Sequence, residues 1–316
     1  MKHIIFIDSL DKLNLKKDSS LMLALTFQEA AEEVYLLFEQ NFYNQNRKLP
    51  TLKLSKFQGE FEQDSFYLKS FELCEEVSVE LKPGDLFHMR IDPPVDMRYI
   101  RFLWQQDMLE DLGVKVINSP KGILLNNEKL VAYKDEATSV PTYLGDGREG
   151  LELFLKDYPC KEYVMKPLDL FSGIGVEKVG GGNQMVADRF EAKVKELNAS
   201  LIVQPFIKEV YQGEIRTVYY AGEEIGTILK VPNEGEFLTN IAQGAKYHRT
   251  ELSVSLRAHC ERFAKQLYAQ GIPWLAFDIL GDYITEINIT CPGLLVEVST
   301  AMEKNLASDI LRLIKS

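Results

Sequence analysis

Apolar and polar positions along the first third of the chain switch repeatedly between strand and helix periods. His3 to Asp8 is an unbroken apolar run of strand length. Ser20 to Phe38 carries Leu, Ala and Phe at helical spacing behind the polar Lys16-Lys17-Asp18-Ser19-Ser20, which predicts a helix. Leu86 to Ile91 predicts a second strand, ended by Asp92-Pro93-Pro94. A helix then runs to about Gly113, a suitable C-terminal stop, and Val114 to Asn118 is a further strand. Such alternation predicts a mostly parallel sheet covered by helices, with ligands gathering at the carboxyl ends of its strands. Lys17, Asp18 and Arg90 all lie just there.

Beyond Ser119-Pro120 the pattern changes. Tyr163 to Leu168 reads as a strand, followed by a loop through Ser172-Gly173-Ile174-Gly175. A glycine turn at Gly180-Gly181-Gly182 precedes an amphipathic helix from about Met185 to Asn198. Leu201 to Ile207 is a strand, and Arg216 to Tyr220 with Gly226 to Val231 reads as a hairpin around Ala221-Gly222. Asn233 to Thr250 is polar and glycine-bearing, and loops of that length are usually lids or disordered segments. A helix from Glu251 to Gln270 ends at Gly271.

The last hairpin, Ala276 to Asn288 around Gly281-Asp282, concentrates the chemistry. Glu286 and Asn288 are two apart, so on a strand they share one face. Oxygen donors converging there suit a hard cation such as Mg2+, which usually keeps contact with substrate phosphates. Asp278 joins them only if the connection has an odd number of residues or a bulge, because a plain two-residue turn puts Asp278 and Glu286 on opposite faces. The competing reading is an edge hairpin with its polar residues in water.

Composition narrows the class. The chain has 316 residues, 46% hydrophobic and 26% charged, as in a globular protein of two or three domains. No run approaches the roughly 20 apolar residues that span a bilayer, and the N-terminus is charged too soon for a signal peptide. A net charge of −11 argues against nucleic acid as the main partner. The four cysteines are scattered without a CxxC pair, which fits reduced thiols in a cytoplasmic enzyme.

Several catalytic routes close on sequence grounds. GxSxG, GxxxxGK[ST] and HExxH are missing, and Gly173-Ile174-Gly175 lacks the third glycine of a dinucleotide fingerprint. What remains is a phosphate-and-metal constellation. Lys166 stands inside an apolar strand, a costly place unless an anion such as phosphate pairs with it or the strand is an edge. Lys129 follows Asn126-Asn127-Glu128 and is either a solvated helix lysine or a second phosphate ligand. The loop glycines let backbone N–H groups approach a phosphoryl oxygen.

In order, these pieces resemble the bacterial glutathione synthetases, members of the ATP-grasp ligases. The matching segments are Asn14–Ser20, Met89–Pro94, Asn118–Pro120, Asn127–Leu130, Met165–Asp169 and Thr285–Thr290, at the family's spacing over almost the whole chain. The resemblance implies an α/β ATP-grasp fold in three parts. These are a Rossmann-like parallel-sheet domain (1–119), a small lid domain (120–203) and a mixed-sheet catalytic domain (204–316). It implies ATP and Mg2+ (or Mn2+) as cofactors, small-molecule substrates, and a homo-oligomer. Lys129 and Lys166 would hold the ATP phosphates under a lid of Ser172, Gly173 and Gly175. Gln204, Pro205, Phe206 and Ile207 would form the adenine hinge. Asp278, Glu286 and Asn288 would bind the metal, and Arg216 with Lys166 would serve catalysis. Lys17, Asp18, Arg90, Arg216 and Asn240 would meet the substrates. The activity implied is ligation of γ-glutamylcysteine to glycine.

The chain departs from the family's pattern at the acceptor end. Leu238 and Val296 stand where arginines are usual, and the Ser-Gly-Ile-Gly-Val and Cys-Pro-Gly-Leu segments look closer to the ribosomal-protein glutamate ligases of the same superfamily. A related ligase with another amine acceptor is the alternative within the enzyme class. A binding protein that keeps the fold without turnover is the alternative outside it.

Overall fold

The computed structural model describes residues 1–170, 173–236, 239, 241 and 244–316. Three sheets follow one another along the chain. The first contains β1 (Lys2–Ile7), β2 (Glu33–Leu37), β3 (Thr51–Phe61), β4 (Leu68–Glu80), β5 (Leu86–Arg90) and β6 (Lys115–Ile117), in the order β4-β3-β2-β1-β5-β6. β1, β2, β5 and β6 pair in parallel, and β3 and β4 extend one side antiparallel. Ile5 and Ile7 of β1 pack on α1 (Ser19–Glu29), while Ile4 and Phe6 pack on α2 (Met97–Asp111). A strand covered on both faces must be apolar throughout, as the His3–Asp8 run is up to Ile7.

The predicted helix over Ser20 to Phe38 is two elements. α1 stops at Glu29, and Ala31 takes a left-handed φ of 60° while Glu32 N–H donates to Phe27 O at 3.0 Å. That backward bond closes a helix and reverses the chain. Val34 and Leu36 are then buried on β2, beside β1. The hairpin of β3 and β4 has no counterpart in the sequence reading.

The second sheet is antiparallel: β7 (Tyr143–Gly145), β8 (Glu162–Pro167), β9 (Glu177–Gly180) and β10 (Leu201–Pro205), in the order β7-β10-β8-β9. Two short helices, α3 (Pro120–Leu125) and α4 (Glu128–Ala132), precede it. Its core is closed by α5 (Arg148–Asp157) and α6 (Asn183–Leu197).

The third sheet holds β11 (Glu214–Tyr220), β12 (Glu223–Val231), β13 (Lys246–Arg249), β14 (Trp274–Leu280) and β15 (Tyr283–Asn288), in the order β13-β12-β11-β14-β15. β13 lies inside the stretch read as a long loop. One face packs on α7 (Val254–Tyr268), the other on α8 (Leu295–Met302) and α9 (Leu306–Lys315). The core of that second face continues to α1 and β1, so the first and third sheets are joined by one apolar cluster. Among the described residues no helix is long and apolar enough to cross a membrane.

Candidate active site

A cleft of about 480 Å³ opens where the three sheets meet, within the usual size range of small-molecule sites. β15 supplies Glu286 and Asn288. A bulge in the pairing of β14 with β15 sets Asp278 opposite Glu286 but Ile279 opposite Ile284, leaving Thr285 as the extra residue. The connection is only Gly281-Asp282, so the bulge is what brings Asp278, Glu286 and Asn288 to one face. Thr285 Oγ1 donates to Asp278 O at 3.1 Å across it. The hairpin is no solvated edge, since Asp278 is buried and all three side chains line the cleft.

Asp278 is held by two hydrogen-bond donors and an ion pair. Lys230 Nζ reaches its Oδ1 at 2.9 Å, and Arg216 Nη2 and Asn288 Nδ2 reach its Oδ2, each at 2.9 Å. Burial opposes its charge, but Arg216 and Lys230 outweigh burial and hold the carboxyl below its ordinary pKa. Asn288 also donates to Ala276 O at 3.2 Å, so its amide oxygen remains for another partner. Lys230 meets Glu214 at 2.7 Å. Despite burial, its two carboxylates raise its pKa.

The phosphate candidates face this group. Lys129, on α4, is buried, with Nζ 3.2 Å from Glu286 and donating to Leu170 O at 2.7 Å. It is therefore no solvated helix lysine. Lys166 sits on β8, an internal strand of the second sheet, which removes the edge explanation for its charge. Burial depresses its pKa below the lysine value, with Glu286 opposing and Lys129 adding to the fall. Both lysines, Gly173, and Gln204 through Ile207 line the cleft. Gly175 does not reach its wall. That glycine has φ +73° and faces Pro167, whose Cγ would lie 2.8 Å from an added Cβ, so its backbone conformation and this close approach themselves call for glycine.

At the first sheet's end, Lys17, Asp18 and Arg90 line the same cleft. Asp18 doubles as the cap of α1, accepting from Ser20 and Leu21 N–H at 2.8 Å. Burial raises its pKa to about 6. Arg90 lies over the Trp274 ring at 4.1 Å and donates to Ser20 Oγ and Pro292 O, each at 2.9 Å. Ser172, Asn240 and Leu238 lie outside the described residues. Val296 is packed in the core, and the cleft-facing side chain of that turn is Glu297.

Sequence reasoning passed over Glu128 and Glu214. Glu214 is two residues from Arg216 on β11, so strand parity sets the two on one face, and a bulge beside Val218 shifts the hairpin register so that Glu214 lies opposite Lys230. Glu128 Oε1 accepts from Ile289 N–H at 2.7 Å, Thr290 N–H at 2.9 Å and Thr290 Oγ1 at 2.8 Å. It ties the lysine-bearing α4 to the end of β15. Burial and Glu286 raise its pKa. Among the described residues no three His, Cys, Asp or Glu cluster as a metal site.

Two family models cover the chain. Prokaryotic glutathione synthetase, ATP-grasp domain, matches residues 128–303, and prokaryotic glutathione synthetase, N-terminal domain, matches residues 1–123. Glutathione synthetase of Coxiella burnetii is 26% identical over 313 residues, covering 99% of this chain and 95% of that one. Glutathione synthetase of Parasynechococcus marenigrum is 31% identical over 232 residues, 73% of this chain and 75% of that one. Among solved structures, D-cycloserine synthetase DcsG superposes with a TM-score of 0.69 at 12% identity, covering 99% of this chain and all of that one. The ATP-grasp ligase PsnB complexed with a precursor variant, Mg and ADP gives 0.62 at 15%, covering 99% and 97%. The fold is the ATP-grasp fold.

Proposed function

The chain belongs to the prokaryotic glutathione synthetase family of ADP-forming carboxylate–amine ligases, and from that premise we propose that it joins γ-glutamylcysteine to glycine using ATP. The observation that carries this reading is the opposed set in the cleft. Lys129 and Lys166 stand on one side, Glu286, Asn288 and Asp278 on the other, with Arg216 beside Asp278.

A carboxylate acylates poorly until phosphorylated, and phosphoryl transfer needs positioning and charge neutralisation more than covalent help. In the structure the cations pair with the carboxylates, Lys129 with Glu286 and Arg216 with Asp278. ATP phosphates bound between them would be met by the lysines and Arg216. Mg2+, when bound, would supply charge neutralisation for those phosphates. Glu286, Asp278 and the free amide oxygen of Asn288 would hold it. Arg216, lining the cleft beside Asp278, would neutralise charge developing on the transferred phosphoryl group. Gln204 to Ile207, at the end of β10, line the cleft for the adenine.

The test is product analysis by mass spectrometry after incubating the protein with ATP, MgCl2, γ-glutamylcysteine and each of several amines, glycine and glutamate included. Glutathione and ADP formed together, only with glycine, is the expected outcome. A product with glutamate instead, or no ADP from γ-glutamylcysteine with any amine, refutes the reading.

A further inference from the structure

The end of the cleft nearest the first sheet contains a carboxylate that the phosphoryl-transfer chemistry leaves unused. Glu297 is 1% exposed, lines the cleft, and has an Oε2 with no hydrogen-bond partner. Lys17 Nζ stands 3.9 Å from its Oε1, too far for a hydrogen bond. A buried carboxylate with an idle acceptor is costly to maintain. Nothing in packing requires it, because its neighbours Leu295, Val296 and Val298 are core residues of α8.

The surroundings are fixed. Leu295 N–H donates to Ser19 Oγ at 3.0 Å, which abuts the N-termini of α8 and α1. Lys17 and Asp18 immediately precede α1, and Glu297 lies in the first turn of α8. One small region therefore offers a lysine ammonium for an anion, beside a carboxylate that lacks a cationic partner at bonding distance. That is the complement of a zwitterion, an α-amino-acid head group.

We propose that Glu297 accepts the α-ammonium of the γ-glutamyl group while Lys17 receives the α-carboxylate of the same head. The assignment rests on the reading of γ-glutamylcysteine as donor. The acceptor amine is the poorer occupant, since a carboxylate at its nitrogen holds the proton that must leave before attack. Glu297 is then a specificity residue that distinguishes an amino-acid head from a plain dicarboxylate.

The experiment compares γ-glutamylcysteine with glutarylcysteine, the same peptide lacking the α-amino group, in steady-state ligation by wild type and by Glu297→Gln. Wild type is expected to show a KM about tenfold or more higher for glutarylcysteine, as befits a lost charged hydrogen bond. Glu297→Gln is expected to raise the KM of γ-glutamylcysteine by about the same factor, and to leave that of glutarylcysteine and the binding of a nonhydrolysable ATP analogue unchanged. Equal KM for both peptides in wild type overturns the assignment. So does undiminished discrimination in the variant, or a rise confined to the KM of glycine. If Glu297→Gln fails to fold, the wild-type comparison and Glu297→Asp, which keeps the charge and part of the discrimination, decide. Wild type making no glutathione at all overturns the donor reading and this assignment with it, whereas glutathione made without discrimination overturns Glu297 alone.

Discussion

Asp278→Asn keeps the shape of a buried side chain with three polar partners in the cleft and removes its charge. The carboxylate accepts from Lys230 and Asn288 and forms an ion pair with Arg216, each at 2.9 Å. Removing one partner of a buried ion pair typically costs about 3–5 kcal/mol, because the other charge stays buried without compensation. Two features reduce that figure here. Lys230 keeps Glu214 at 2.7 Å, and Arg216 borders the cleft, where water reaches it. The expected loss is about 2–3 kcal/mol at neutral pH, read from urea unfolding of the nucleotide-free protein.

The pH dependence gives a second, signed check. The folded carboxyl has a pKa below its ordinary value, so its contribution is present above the unfolded value of about 3.9 and is lost as pH falls through the folded one. Asparagine does not titrate. The stability gap between wild type and Asp278→Asn is therefore constant from neutral pH down to about pH 5 and narrows below about pH 4. A gap of zero at neutral pH, or one that persists undiminished in acid, refutes the account of Asp278 as a charge held by Arg216 and Lys230.

Two further outcomes follow from the same geometry. Lys166 has a depressed pKa in the free protein, so phosphates that restore its charge draw in a proton at alkaline pH below the ordinary lysine value of about 10.4. Calorimetry of ATP-analogue binding in buffers of different ionisation enthalpy should show this uptake, and Lys166→Met should weaken binding and lose it; equal uptake in the variant rules Lys166 out. Glu128→Ala removes three hydrogen bonds to Ile289 and Thr290, and should lower both thermal stability and kcat. Glu128→Gln, which keeps an oxygen acceptor, should recover most of each, and an alanine variant with wild-type kcat would free Glu128 of any positioning role.

The site was legible where a residue was expensive in its setting. Lys166 stood out because an apolar strand does not tolerate an unpaired ammonium, and β8 is indeed internal. Glu286 and Asn288 stood out because strand parity alone sets them together. Parity failed at Asp278, whose side depends on the Thr285 bulge, a property of the pairing of two strands that no residue type there announces. The first sheet shows the same division. The apolar His3–Asp8 run declares a buried strand, whereas the end of α1 rests on Ala31 in a left-handed conformation that alanine rarely signals.

Glu297 went unread for a related reason. Which side chain of Leu295-Val296-Glu297 meets the cleft depends on the phase of α8, and that phase is set by Leu294, a non-glycine residue with φ 67°. A left-handed leucine is costly and persists only when its surroundings hold it there. Leu294 itself lines the cleft, and the next residue is tied to Ser19 across the joint between α8 and α1. The strained turn thus buries Val296 and presents Glu297, exchanging an expected cation position for an anion. On the role proposed for Glu297, selection at this end of the cleft depends on that backbone joint between the first and third sheets.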